Sequence, residues 1–196
     1  MSSLQDQLQN ADWHGEPPEW AWVEGQLHVT TGDRNDFWQG TYYNFQRDDG
    51  HFLGCGIEGN FTAQLTFDAE YEELYDQAGL MVRQDEKNWV KTGIEHSDGI
   101  TNFSVVITRE GRSDWSVVGV PWLHGPQQIR LTRVGNSVIV HHLSTNAWRL
   151  MRLGELPLSG DVLVGPMTCS PQRKGLKARF LELDIGPAVE DPLHAV

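Results

Sequence analysis

The chain has 196 residues and a formal net charge of −12, from 15 Lys and Arg against 27 Asp and Glu. A surplus of acid without a basic stripe argues against nucleic acid and anionic membrane surfaces, which both need clustered cations. The hydrophobic share of 39% suits one domain (1–196, core about 13–185) with a sizeable core, and no apolar run approaches the ~18 residues of a membrane span.

From the start of the chain, MSSLQDQLQNADWHG lacks the apolar core of a signal peptide. Within it SLQDQLQN predicts a helical turn capped by Ser2 or Ser3. WHGEPPEWAW is held extended by Pro17 and Pro18 and is dense in tryptophan. Residues 27–31 read as a strand ended by Gly32-Asp33. The following stretch, DRNDFWQGTYYNFQRDDGHFLGCGIEGNF, is rich in Gly, Asp and aromatics. It predicts loops and short strands at the rim of a β-fold. Residues 61–67 alternate, with Phe61, Ala63, Leu65 and Phe67 inward. DAEYEELYDQ is too short for an independent helix and predicts a loop or a single helical turn.

Residues 76–96, DQAGLMVRQDEKNWVKTGIEH, form the most informative stretch. Two runs, 79–83 and 89–95, flank a polar link. Alternation places Gly79, Met81 and Arg83 on one face, and Leu80 and Val82 on the other. In the second run Trp89, Lys91, Gly93 and Glu95 share a face, opposite Val90, Thr92 and Ile94. Arg, Trp, Lys and Glu together on one sheet face predict the floor of a binding surface rather than a plain core.

Strands are expected next at 102–108 and 115–120, then a loop around Trp122 and His124 bracketed by Pro121 and Pro126. Residues 128–134 and 137–143 form a hairpin across Gly135-Asn136. Strands at 147–153, 162–167 and 178–185 complete the series, and PAVEDPLHAV is expected to fray. Ten or more short strands with no long helix predict an all-β sandwich or barrel, which periodicity alone does not separate.

Cys55 and Cys169 are the only cysteines, too few for a disulfide framework or a thiolate zinc site. They are expected as reduced, buried thiols of a cytoplasmic protein, with a single bridge as the alternative. Two Asn-x-Ser/Thr acceptors, at Asn60 and Asn102, carry no weight without export.

Four phrases together resemble one family: FWQGTYYNF with DDGHF, YDQAGLMVRQDEKNWVKTGIE, SDWS at 113–116 and VGPMTCSP at 164–171. They resemble the concanavalin A-like jelly rolls labelled "regulation of enolase", over nearly the whole chain. The resemblance implies a two-sheet antiparallel jelly roll with a concave face, related in fold to lectins and glucanases. It implies no particular activity, because one fold hosts many functions.

Three functions follow as expectations. The first is binding of a small saccharide or sugar-like metabolite on the concave face. Trp38, Trp89 and Trp115 would be plates for a pyranose, and Gln77, Arg83, Lys91 and Glu95 would contact its hydroxyls. The competing reading packs the tryptophans in the core and pairs the charges across strands. The second is glycoside hydrolysis with Glu95 as the acid, partnered by Asp114 or Asp85. The third is regulation of a metabolic enzyme through a protein–protein contact, for which no apolar patch is visible in sequence. The oligomeric state is left open.

Other motifs are weaker. Glu182-Leu183-Asp184-Ile185 matches the start of the E-x-D-x-x-E strand of jelly-roll glucanases, but position 187 is Pro187 and the strand is the last in the chain. His141 and His142 are adjacent and would face opposite sides of a strand, so they cannot share an ion. No metal or cofactor is expected, although a calcium ion on loop carboxylates such as Asp48 and Asp49 remains an alternative. GCGIEG has dinucleotide-loop spacing without a following helix. Cys169, in TCSP, has no base beside it in sequence.

Overall fold

The computed structural model describes residues 3–120 and 125–194. It contains one helical turn, α1 (Leu4–Gln7), and sixteen strands. The first eight are β1 (Asp12–His14), β2 (Glu19–Val23), β3 (Gln26–Thr30), β4 (Phe37–Gln39), β5 (Gln46–Asp48), β6 (His51–Ile57), β7 (Phe61–Ala69) and β8 (Gln77–Asp85). The rest are β9 (Asn88–Ser97), β10 (Ile100–Arg109), β11 (Arg112–Gly119), β12 (Gln127–Val134), β13 (Ser137–Ser144), β14 (Ala147–Glu155), β15 (Val162–Cys169) and β16 (Lys177–Pro187).

Two seven-stranded antiparallel sheets face each other. Their orders are β1-β6-β15-β8-β9-β10-β11 and β14-β13-β12-β7-β16-β3-β2. Both sheets keep free edges, so the fold is a sandwich and not a barrel. The layer between them is filled by the inward half of each alternation. Leu80, Val82, Val90, Ile94, Phe103 and Val105 come from the first sheet, and Leu65, Phe67, Ile129, Leu131 and Phe180 from the second.

The predicted strands lie within one to three residues of the observed ones, and the hairpin turn at Gly135-Asn136 is present. Ser3 caps α1: its hydroxyl accepts from the Asp6 N–H, while the Asp6 carboxylate accepts from the Ser3 N–H. Ser2 and the loop around Trp122 and His124 lie outside the described residues. Residues 70–76 form a loop. One expectation needs correcting. The Gly-rich stretch is rim-like only up to β5, because β6 is a largely buried interior strand between β1 and β15. Its glycines disguise it, yet Gly54 is there because a Cβ would sit 2.6 Å from the Phe52 ring.

β8 and β9 pair with Gln77 opposite Glu95, Gly79 opposite Gly93, Met81 opposite Lys91 and Arg83 opposite Trp89. These residues occupy the face of the first sheet that points away from the sandwich layer. Gly79 and Gly93 meet where a Cβ on either would stand about 2 Å from a backbone oxygen of the other strand. Only glycine allows the two strands this approach.

Candidate functional site

The outer face of the first sheet is covered by a flap, the two-stranded hairpin β4–β5. Three polar contacts pin it. Arg83 donates from both terminal nitrogens to the two Asp48 carboxylate oxygens, at 2.7 and 2.8 Å. Lys91 Nζ lies 3.1 Å from Asp36 Oδ1. The Gln39 N–H donates to Ser113 Oγ at 2.9 Å. Beneath the flap a second apolar cluster forms from Phe37, Trp38, Phe52, Met81, Trp89, Val106, Met167 and Cys169. Trp89 is fully buried there, edge-on to Phe37, with its indole N–H donated to the Glu86 carbonyl.

Where the flap ends, a cavity of about 300 Å³ opens. Its walls are aromatic: Trp38, Tyr43, Phe45, Tyr75 and Trp115, with Val106. Its polar groups are Asp36, Gln77, Lys91 and Glu95 below and Arg47 and Gln172 at the rim. The flap tip, residues 40–45, carries Tyr42 and Asn44 in the left-handed region and lays Tyr43 against Trp38 and Phe45. Across the opening Tyr75 packs edge-to-face on Trp115, and the Tyr43 and Tyr75 hydroxyls meet at 3.0 Å. That contact, with burial, pushes the Tyr75 phenol up to about 12.

Glu95 is 3% exposed. The Ser104 hydroxyl donates to Glu95 Oε2 at 3.0 Å and accepts from the Trp115 indole N–H at 3.1 Å. Burial raises the Glu95 carboxyl to about 7, with Lys91 and Ser104 pulling the other way and Asp36 adding to the rise. Lys91 is equally deep. Burial opposes its charge, but Asp36, Cys169 and Glu95 together outweigh it and the ammonium stands above the ordinary lysine value. Burial lifts the Cys169 thiol well above its usual range, so it rests as a neutral group. The cavity therefore combines apolar plates with one closed ion pair and one deep carboxyl poised near neutrality.

The family described as "Protein of unknown function (DUF1349)" matches residues 13–188. The chain belongs to this family. A relative from Saccharomyces cerevisiae, "Regulation of enolase protein 1", is 39% identical over 196 residues, spanning 99% of this chain and 98% of the relative. A solved structure described as a functionally unknown protein from Saccharomyces cerevisiae superposes with a TM-score of 0.88 at 39% identity. That match covers 93% of this chain and 98% of the other. The legume lectin-like domain of Entamoeba histolytica has a TM-score of 0.64 at 11% identity, covering 94% and 93% of the two chains. The fold of this family member is thus the concanavalin A-like jelly roll.

Of the seven residues picked from sequence, Trp38, Gln77, Lys91, Glu95 and Trp115 line the cavity. Arg83 and Trp89 do not: Arg83 anchors the flap through Asp48, and Trp89 fills the cluster beneath it. Asp36, Tyr43, Phe45 and Tyr75 were not picked. The signal for Tyr43 and Phe45 was the aromatic density of FWQGTYYNF, which reads as a loop until the hairpin folds back over the sheet; Asp36 and Tyr75 lie outside that run.

The alternative acids sit elsewhere. Asp114 pairs with Arg152 at 2.7 Å, and Asp85 accepts from the Lys87 N–H and the Asn88 amide in the β8–β9 turn. Asp36 is the second carboxylate lining the cavity. Asp48 and Asp49 are taken by Arg83 and Arg47, and no group of three or more metal-ligating side chains forms among the described residues. Glu182 and Asp184 are exposed on the second sheet, remote from the cavity; β16 is last in sequence but interior in its sheet. His142 contacts Gln127, while burial and Arg130 lower His141 to about 4.

Proposed function

We propose that the chain binds a small saccharide or a related polyhydroxylated metabolite in the cavity beside the flap. The observation that carries this reading is one of juxtaposition. Exposed faces of Trp115 and Tyr43 stand over buried, directional polar groups on Gln77, Lys91 and Glu95. Stacking on a ring and hydrogen bonding to fixed side chains are the two contacts a sugar ring needs. The cavity's volume is at the small end of ligand sites, ~300–1,000 Å³, which favours one or two sugar rings. A thermal-shift and calorimetric screen of mono- and disaccharides tests it. At least one should bind, and Trp115→Ala should weaken that binding about tenfold, because Trp115 is 37% exposed and its loss leaves the core intact. A broad screen in which no saccharide registers would sink the proposal.

Hydrolysis is the second reading, favoured by a carboxyl near pKa 7 in an aromatic cleft with Asp36 as the other lining acid. Aryl glycosides cleaved by the parent and not by Glu95→Gln would support it; equal turnover by both removes Glu95 as the acid.

The name of the yeast relative raises a protein partner as a third reading. The edge strands β11 and β14 expose Val117, Val118, Leu150 and Leu153, apolar side chains that a partner could cover. A cytoplasmic location fits the two cysteines, which are buried and free. Cys55 pairs opposite Val164, five residues along β15 from Cys169, ~17 Å away, beyond disulfide reach.

A further inference from the structure

The charges in the cavity are unevenly matched. Lys91 and Asp36 satisfy each other at 3.1 Å. Glu95 closes no ion pair among the described residues: the Ser104 hydroxyl donates to its Oε2, the Trp115 indole N–H also reaches the carboxyl, and Lys91 attracts it from farther off. This deeply buried carboxyl lines the cavity, and no cation closes on it as Lys91 closes on Asp36. Around it stand the rings of Trp115, Tyr75, Trp38 and Tyr43, whose negative faces favour a cation over a neutral or anionic group.

Taking the saccharide reading as its basis, we propose that the ligand is an amino sugar bound as its ammonium, with the nitrogen set against the Glu95 carboxylate and the ring stacked on Trp115. The ammonium gives Glu95 the ion pair that it lacks among the described residues. A neutral hydroxyl there would leave a buried carboxylate without a counter-charge, a costly arrangement.

The groups facing Glu95 are Lys91 on its own strand, Asp36 ahead of β4, Cys169 on β15, Tyr75 ahead of β8, and Tyr43 and Arg47 on the flap. Asp36 offsets Lys91, Asp49 holds Arg47, and the Cys169 thiol and Tyr75 phenol stay neutral near pH 7. Glu95 is therefore the group that titrates there. Below pH 7 it carries a proton and has no charge to offer; binding an ammonium then expels that proton to the buffer.

The test is isothermal titration with 6-amino-6-deoxy-D-glucose and D-glucosamine against D-glucose and N-acetyl-D-glucosamine, at pH 6 and 8. At least one amine should bind ten times more tightly than its neutral counterpart at pH 8. For 6-amino-6-deoxy-D-glucose the affinity should fall about tenfold at pH 6, where the ionised fraction of Glu95 drops from ~90% to ~10%. Glu95→Gln should bring the amine and its neutral counterpart to equal affinity. Titrations at pH 6.5 in two buffers of different ionisation enthalpy should show proton release by the parent protein, a readout that needs no variant. Neutral sugars binding as tightly as amines, or no proton release, overturn this inference and leave the saccharide reading standing. No binding by either class removes both.

Discussion

Glu95 is where the chemistry of one residue reaches the whole molecule. In the unfolded chain its carboxyl ionises near 4.5, while in the folded protein burial holds the proton to about 7. Between those values the native state binds more protons than the unfolded state. Its contribution to stability is full below pH 4.5, drains as pH rises to 7, and loses nothing further above. A shift from 4.5 to about 7 corresponds to about 3 kcal/mol across that window. Glu95→Gln keeps the shape and removes the charge, so it should match the parent near pH 4.5 and be more stable by up to about 3 kcal/mol at pH 8. Denaturant melts at four or five pH values check this, and parallel profiles for the two proteins would refute it. The same residue was legible from sequence as a carboxyl sharing a face with Lys91. Its raised pKa was not, because it comes first from burial, which alternation does not reveal, and then from Asp36, which lies 55 residues from Lys91 in the chain.

At the scale of elements, the flap decides what the β8–β9 face can do. Alternation gave the face correctly, since Gln77, Arg83, Trp89, Lys91 and Glu95 all point outward from the sandwich layer. It could not show that a hairpin folds over half of that face and turns Arg83 and Trp89 into its support. The Arg83–Asp48 contact spans 35 residues and leaves no local pattern. The Gly79–Gly93 pair is likewise explained only once the strands are aligned. Asp48→Asn should test the flap's anchor. It removes the charge facing Arg83, whose side chain is 9% exposed, while Asp48 is 25% exposed. The expected loss is about 2–3 kcal/mol, below the usual range for a fully buried pair because water reaches Asp48. Ligand affinity should fall as well, although Asp48 does not line the cavity, because the flap positions Asp36, Trp38 and Tyr43. Undiminished affinity would mean that the flap is held in place without this pair.

At the scale of the molecule, neither sheet belongs to one part of the chain. β1 from the N-terminal end closes an edge of the sheet that β11 closes on the other side. β16, the last strand, lies inside the opposite sheet between β7 and β3, and α1 packs Leu4 and Leu8 into the shared core. The alternation along each strand was enough to read an all-β class and to place most strands. The order of strands was not readable, because pairings such as β1 with β6 and β3 with β16 are set by packing across long separations. That interleaving has a thermodynamic consequence. Removing any strand from either sheet exposes the layer that all the others share, so the chain should unfold as one cooperative unit. Calorimetry should give a single transition with equal calorimetric and van't Hoff enthalpies, near 140 kcal/mol at ~0.7 kcal/mol per residue around 60 °C. Two resolved transitions, or a calorimetric enthalpy well above the van't Hoff value, would show that part of the chain melts on its own. The flap is the segment to watch in that case: it contributes no strand to either sheet, and it is held by polar pairs and a separate apolar cluster rather than by the core between the sheets.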